Sequence, residues 1–76
     1  MATPYNGFPS WNAWNVSLWI NNDEGLYNLA LECVRRYKGN RTSAARAFSR
    51  ECGLSRTPDG GKFTQRAIYG AMEGME

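Results

Sequence analysis

Asn21-Asn22-Asp23-Glu24-Gly25-Leu26-Tyr27-Asn28-Leu29-Ala30-Leu31-Glu32-Cys33-Val34-Arg35-Arg36-Tyr37-Lys38-Gly39 is the stretch from which the fold can be read. Two asparagines followed by two acids mark a helix start. Asn22 can accept from the free backbone N–H groups of a first turn, and the acids sit where the helix dipole is positive. Leu26, Leu29 or Ala30, Cys33 and Tyr37 then recur at helical spacing, with Tyr27, Leu31 and Val34 alongside. Arg35, Arg36 and Lys38 crowd the far end, and Gly39 stops it. The pattern predicts a helix running to about Lys38.

Upstream, Pro4, Asn6-Gly7 and Pro9 make residues 1–9 an extended or turning arm. Tyr5, Phe8, Trp11 and Trp14 recur every third residue, but the prolines forbid one helix through all of them. Ser10 suits the N-cap of a helix from about Trp11 to Ile20. Trp11, Trp14 and Leu18 would share one of its faces, while Val16, Trp19 and Ile20 crowd another. Such a helix is either central or shows an aromatic face to a partner.

Downstream, a third helix should start at Thr42 or Ser43 and bury Ala45, Phe48 and Cys52, with Arg46 and Arg50 pointing away. Gly53 suits the left-handed residue after it, and Leu54 the apolar contact that often follows. Pro58-Asp59-Gly60-Gly61 is a tight turn between Leu54-Ser55-Arg56-Thr57 and Lys62-Phe63-Thr64, with room for a small β-hairpin near residues 54–64. Thr64 can cap a last helix striped by Ala67, Ile68, Ala71, Met72 and Met75, weakened by Gly70 and Gly74. The expectation is an all-α domain over residues 1–76, a bundle of about four short helices.

The 76 residues are 42% hydrophobic and 13% aromatic, too apolar for a disordered chain. No run of 18 apolar residues exists, so no membrane partner is expected. The first residues lack the basic start and apolar stretch of a secretory signal, which points to a cytoplasmic protein. Asn15-Val16-Ser17 and Asn40-Arg41-Thr42 therefore match the glycosylation pattern without meaning. Cys33 and Cys52, 19 residues apart with no CxxC, read as buried free thiols.

Nothing in the residues asks for an enzyme. The chain has no histidine, the usual acid–base group at neutral pH. Gly60-Gly61-Lys62 fails as a phosphate loop, because Arg56 stands where the first glycine belongs and Phe63 where Ser or Thr belongs. No catalytic residue, metal or cofactor is expected.

Net charge is only +2, yet all nine basic residues fall between 35 and 66, where they meet just Glu51 and Asp59. That segment carries +7, and the remainder, with five acids and no Lys or Arg, carries −5. The bland reading is that Arg35, Arg36 and Lys38 complement a helix C-terminus and Arg46 and Arg50 keep a helix wet. Arg41, Arg56, Lys62 and Arg66, however, extend the bias through turns and helix starts where that account fails. Seven arginines against two lysines also favour bidentate contacts with phosphate or carboxylate. Arg35, Arg36, Arg46, Arg50, Arg56, Lys62 and Arg66 are thus the candidate partner-binding residues, with Tyr5, Phe8 and Trp11 as aromatic contacts. The tryptophans have a competing use as core, since a short chain needs large side chains at its centre. A DNA-reading helix-turn-helix is disfavoured by the connection of about ten residues after the third helix.

Residues 14 to 27, Trp-Asn-Val-Ser-Leu-Trp-Ile-Asn-Asn-Asp-Glu-Gly-Leu-Tyr, with the preceding Tyr5-Asn6-Gly7, carry a resemblance. They resemble a family of small uncharacterised phage and plasmid proteins with a Tyr-Asn-Gly arm and a Trp-Asn-Val-x-Leu-Trp-Ile-x-Asn-Asp/Glu core. The likeness spans roughly the first third of the chain and brings no catalytic residues. It implies a phage setting, in a bacterial host cell, where small proteins often inhibit host machinery; anti-CRISPR proteins are one such group. The leading expectation is a non-enzymatic anti-defence inhibitor that binds a host nucleoprotein complex, such as a CRISPR effector, through a basic face. A direct DNA- or RNA-binding accessory protein and a small structural or self-assembling phage protein are the alternatives.

Overall fold

The computed structural model describes residues 8–73 and 75. Four helices follow in order: α1 Trp11–Asn22, α2 Glu24–Arg36, α3 Arg41–Cys52 and α4 Gln65–Ala71. The all-α expectation holds. The arm expected over residues 1–9, Tyr5 included, lies outside the described residues except for Phe8 and Pro9.

Capping explains where each helix begins. Ser10 accepts from the Ala13 N–H and opens α1 as expected. Between α1 and α2 the cap is Asp23, not Asn22: its N–H donates to Trp19 O, closing α1, and its carboxylate accepts from Leu26 N–H, opening α2. One residue serves both helices, so α1 runs two residues beyond Ile20. α2 ends at Arg36 rather than Lys38, because Asn40 caps α3 through Ser43 N–H and residues 37–39 are needed for the turn. Gly39, at φ +83°, makes that turn. α3 consequently starts at Arg41, one residue before the expected Thr42. Gly53 takes the left-handed position after α3, and Thr64 caps α4 through Ala67 N–H, both as read from sequence. α4 stops at Ala71, short of Met75.

The core is built from small side chains. Ala30, Ala44, Ala45, Ala47, Ala67 and Ala71 are buried with Val16, Ile20, Cys33, Phe48, Phe63, Ile68 and Met72. The indoles lie outside this cluster. Trp11 is 40% exposed, and Trp14 and Trp19 are half-buried, so the tryptophans are not the core. Leu54, at 49% exposed, also stays out of it.

The expected hairpin is a single antiparallel bridge between Arg56 and Lys62. Thr57 N–H donates to Gly61 O at 2.7 Å and Phe63 N–H to Ser55 O at 3.0 Å. Phe63 packs its ring 6.3 Å from that of Phe48 on α3. The outer edge of Lys62 is taken by Asn12 of α1, whose side-chain amide accepts from its N–H at 2.6 Å and donates to its carbonyl at 2.9 Å. This amide stands in for a third strand.

The turn is seated on α1 by a buried network. Asn15, 1% exposed, accepts through Oδ1 from the Thr57 hydroxyl, which in turn accepts from Gly61 N–H at 2.9 Å. A Cβ built on Gly61 would lie 2.5 Å from Asn15 Oδ1 and 3.2 Å from Thr57 Oγ1. Gly61 is required by close approach, not by φ. In α4 the opposite holds for Gly70, around which a Cβ would meet nothing within 4 Å. Gly61→Ala should therefore cost about 1–3 kcal/mol by overpacking. Gly70→Ala should add about 0.5–1 kcal/mol through helix propensity. Urea unfolding of both variants, read for opposite signs, checks the pair.

Candidate binding surface

Each expected basic contact has a definite place. Arg46 and Arg50 lie one turn apart on the exposed side of α3, opposite the buried Ala44, Ala45, Ala47 and Phe48. Arg56 and Lys62 are the bridged pair. Their flanking residues make the ladder hydrogen bonds, so they are a narrow, non-hydrogen-bonded pair with Cα atoms about 4.5 Å apart and side chains leaving the same face. Arg66 is exposed in the first turn of α4, beside Gln65, whose Nε2 donates to Thr42 O in the first turn of α3. The hairpin and α4 thus adjoin α3, and five cations stand on these three neighbouring segments. Among the described residues none of the five forms an ion pair.

Two of the seven belong elsewhere. Arg36 is held by its own fold: Nη2 meets Glu32 Oε1 at 2.5 Å and Nη1 meets Glu51 Oε2 at 2.6 Å. Those hydrogen bonds raise the pKa of its guanidinium still further. The triad ties α2 to α3 and carries a net negative charge, so Arg36 is withdrawn from the candidate contacts. The spacing of Glu32 and Arg36 shows half of that clamp in sequence, and only the pairing of α2 with α3 brings in Glu51. Arg35 sits at the loop end of α2, where it lines a pocket with Lys38 and Arg41, well removed in sequence from the α3 ridge. Arg41 itself lies over the Tyr69 ring, 4.1 Å from its centroid.

Two local rules are broken on this surface. Like charges directly opposite across a bridge repel, as Arg56 and Lys62 do. A cation in a first helical turn opposes the dipole, as Arg66 does in α4, whose first turn contains no acid. Local stability does not ask for these choices.

The residues that aim the hairpin were invisible as a group in the sequence. Asp59 Oδ2 accepts from Trp19 Nε1 at 2.9 Å and from Asn15 Nδ2 at 3.2 Å. The Trp19 hydrogen bond, then that of Asn15, pull the Asp59 carboxyl below its usual range. Asn15 and Asp59 are 44 residues apart, and no short-range pattern links them. Of the aromatic contacts, Trp11 is exposed, Phe8 is half-buried beside Trp14 and Leu18, and Tyr5 lies outside the described residues. Both cysteines are free; burial, then Glu51, pushes the Cys33 thiol up, which keeps it protonated and unreactive. Among the described residues no group of His, Cys, Asp and Glu could hold a metal, and no helix is long and apolar enough to cross a membrane.

These features define a small four-helix domain in which, among the described residues, five cations on adjoining segments form no ion pair, while Asp23, Glu32, Glu51 and Asp59 serve the fold. The chain belongs to a family of unknown function, DUF7249, whose model matches residues 1–76. No curated protein and no solved structure matches it.

The Asp59 hydrogen bonds set a pH dependence. Because the folded-state pKa is lowered, the contribution is complete above the unfolded value of about 4 and is lost as pH falls through the folded value. The Trp19 indole N–H resonance should hold its position as pH drops to about 4 and shift only below it. Trp19→Phe should move the Asp59 carboxyl back toward its ordinary pKa, as a carbon-detected NMR titration would show.

Proposed function

We propose that this chain is a non-catalytic inhibitor that docks on a host nucleoprotein complex and occupies the surface where that complex takes up nucleic acid. Arg46, Arg50, Arg56, Lys62 and Arg66 are the contacts on this reading. The observation that carries it is five cations, unpaired among the described residues, on adjoining rigid segments, two of them set side by side against their own repulsion. Folding gains nothing from that arrangement, whereas an anionic partner would relieve it. Arginine forks match phosphate and carboxylate alike, so a surface of this kind suits a channel built for nucleic acid or an acidic rim beside it.

Binding rather than catalysis fits the use made of the acids. Asp23 caps a helix, Glu32 and Glu51 hold Arg36, and Asp59 anchors the hairpin. The resemblance of residues 5–7 and 14–27 to phage and plasmid proteins supplies the setting, the cytoplasm of a bacterial cell with active defences. A CRISPR effector is the nucleoprotein partner this reading names first.

Co-elution with purified CRISPR effector ribonucleoprotein on a sizing column, and loss of target-DNA binding by the effector, are the expected results. Arg46→Glu with Arg50→Glu should weaken the complex by about a hundred-fold, near 3 kcal/mol, with the melting temperature little changed. Effector binding that survives this reversal would displace the site. Tight binding to random duplex alone, with log affinity falling against log salt at about −0.9 per phosphate, would instead favour a direct nucleic-acid-binding accessory protein.

A further inference from the structure

The loop joining α2 to α3 shelters a pocket that the basic ridge of α3 does not include. The last turn of α2, the first turn of α3 and Met75 enclose a cleft of about 630 Å³. Val34, Tyr37, Ala44 and Met75 are its apolar lining; Arg35 and Lys38 line it as exposed cations, with Arg41, which also lies over the Tyr69 ring. Among the described residues no Asp or Glu lines it. Arg35 and Lys38 form no ion pair among the described residues.

The lining specifies the ligand. An apolar floor wants an apolar group, and the exposed Arg35 and Lys38 cations want negative charge beside them. Among the described residues Tyr37 offers the only neutral side-chain hydroxyl in the lining, whereas sites for small polar molecules converge several such groups. The cleft is walled by two helix ends and open to solvent, which suits a side chain carried on a peptide better than an enclosed small molecule. Met75 adds a flexible thioether of the kind that adapts to varied side chains.

We propose that this pocket is the anchor point for an acidic segment of a protein partner. A leucine or phenylalanine of the partner enters between Val34, Tyr37, Ala44 and Met75, and flanking aspartates or glutamates reach Arg35 and Lys38. The proposal deepens the inhibitor reading by giving the protein component of the partner its own site, apart from the Arg46–Arg50 ridge. Arg35 then acts here rather than with the ridge arginines, and Lys38 joins it.

A titration of isotope-labelled protein with the capped peptide Asp-Glu-Leu-Phe-Glu-Asp tests this. Amide shifts should centre on Val34, Gly39 and Ala44. They should vanish with a peptide carrying Lys in place of its acids, and with one carrying Ser in place of Leu and Phe. Arg35→Glu with Lys38→Glu should weaken the peptide about ten-fold or more, near 1.4 kcal/mol. Both positions are exposed, so the melting temperature should stay close to that of the parent. Arg46→Glu with Arg50→Glu should leave peptide affinity unchanged within about two-fold even where effector binding is lost, which separates this proposal from the ridge. Absence of shifts, shifts centred elsewhere, or peptide affinity that survives the reversal at Arg35 and Lys38 would overturn it. Shifts at the same amides from phosphatidylglycerol vesicles but not from the peptide would also overturn it, in favour of a lipid surface.

Discussion

The Asn15 side chain, buried under the 57–61 turn, is the contact on which the arrangement of the second half depends. Its carboxamide accepts from Thr57 and donates to Asp59, spending both ends across more than forty residues of sequence. A buried amide left unpaired costs about 1–3 kcal/mol, so the turn is held wherever Asn15 stands. Trp19 and Asn12 extend the seam in both directions along α1, one to the Asp59 carboxylate and one to the Lys62 backbone. Gly61 is the residue that lets the backbone come this close. A two-residue bridge of this kind would not persist in water unaided. Pinned to a helix at three points, it becomes a rigid platform.

The platform matters because of what it carries. Arg56 and Lys62 leave the same face of the bridge, and α1 holds them there although they repel. Arg46 and Arg50 gain similar rigidity from α3, whose opposite side is entirely buried. The fold also sorts the positive charge. Glu32 and Glu51 absorb Arg36, Tyr69 takes Arg41 by a ring contact, and the loop pocket keeps Arg35 and Lys38. One basic stretch in the chain is thus divided between exposed cations on α3, the bridge and α4, and a cleft that Arg35 and Lys38 line.

Much of the helical frame could be read in advance because its signals are local. Ser10, Thr64, Gly53 and the apolar spacing of residues 26–37 act within a turn of where they stand. Boundaries shifted where two local signals competed. Asn22 and Asp23 both cap well, and Asp23 wins because its N–H can also close α1 onto Trp19. Asn40 outcompetes Thr42 for the same kind of reason, with Gly39 providing the turn. The tryptophans were harder to place, because size argues for the centre while the indole N–H favours an edge with a polar partner, which Trp19 finds in Asp59.

The sequence by itself determined the four helices, the caps at Ser10 and Thr64, the tight turn and the concentration of positive charge in residues 35–66, since each depends on neighbours a few residues away or on composition alone. Tertiary structure decided which cations remain available, which acids neutralise them, and how the hairpin is aimed. Those outcomes hinge on pairs such as Arg36 with Glu51 and Asn15 with Thr57, separated by 15 and 42 residues. A charge or an amide has no partner until packing brings one within reach, and the linear pattern holds no record of that distance.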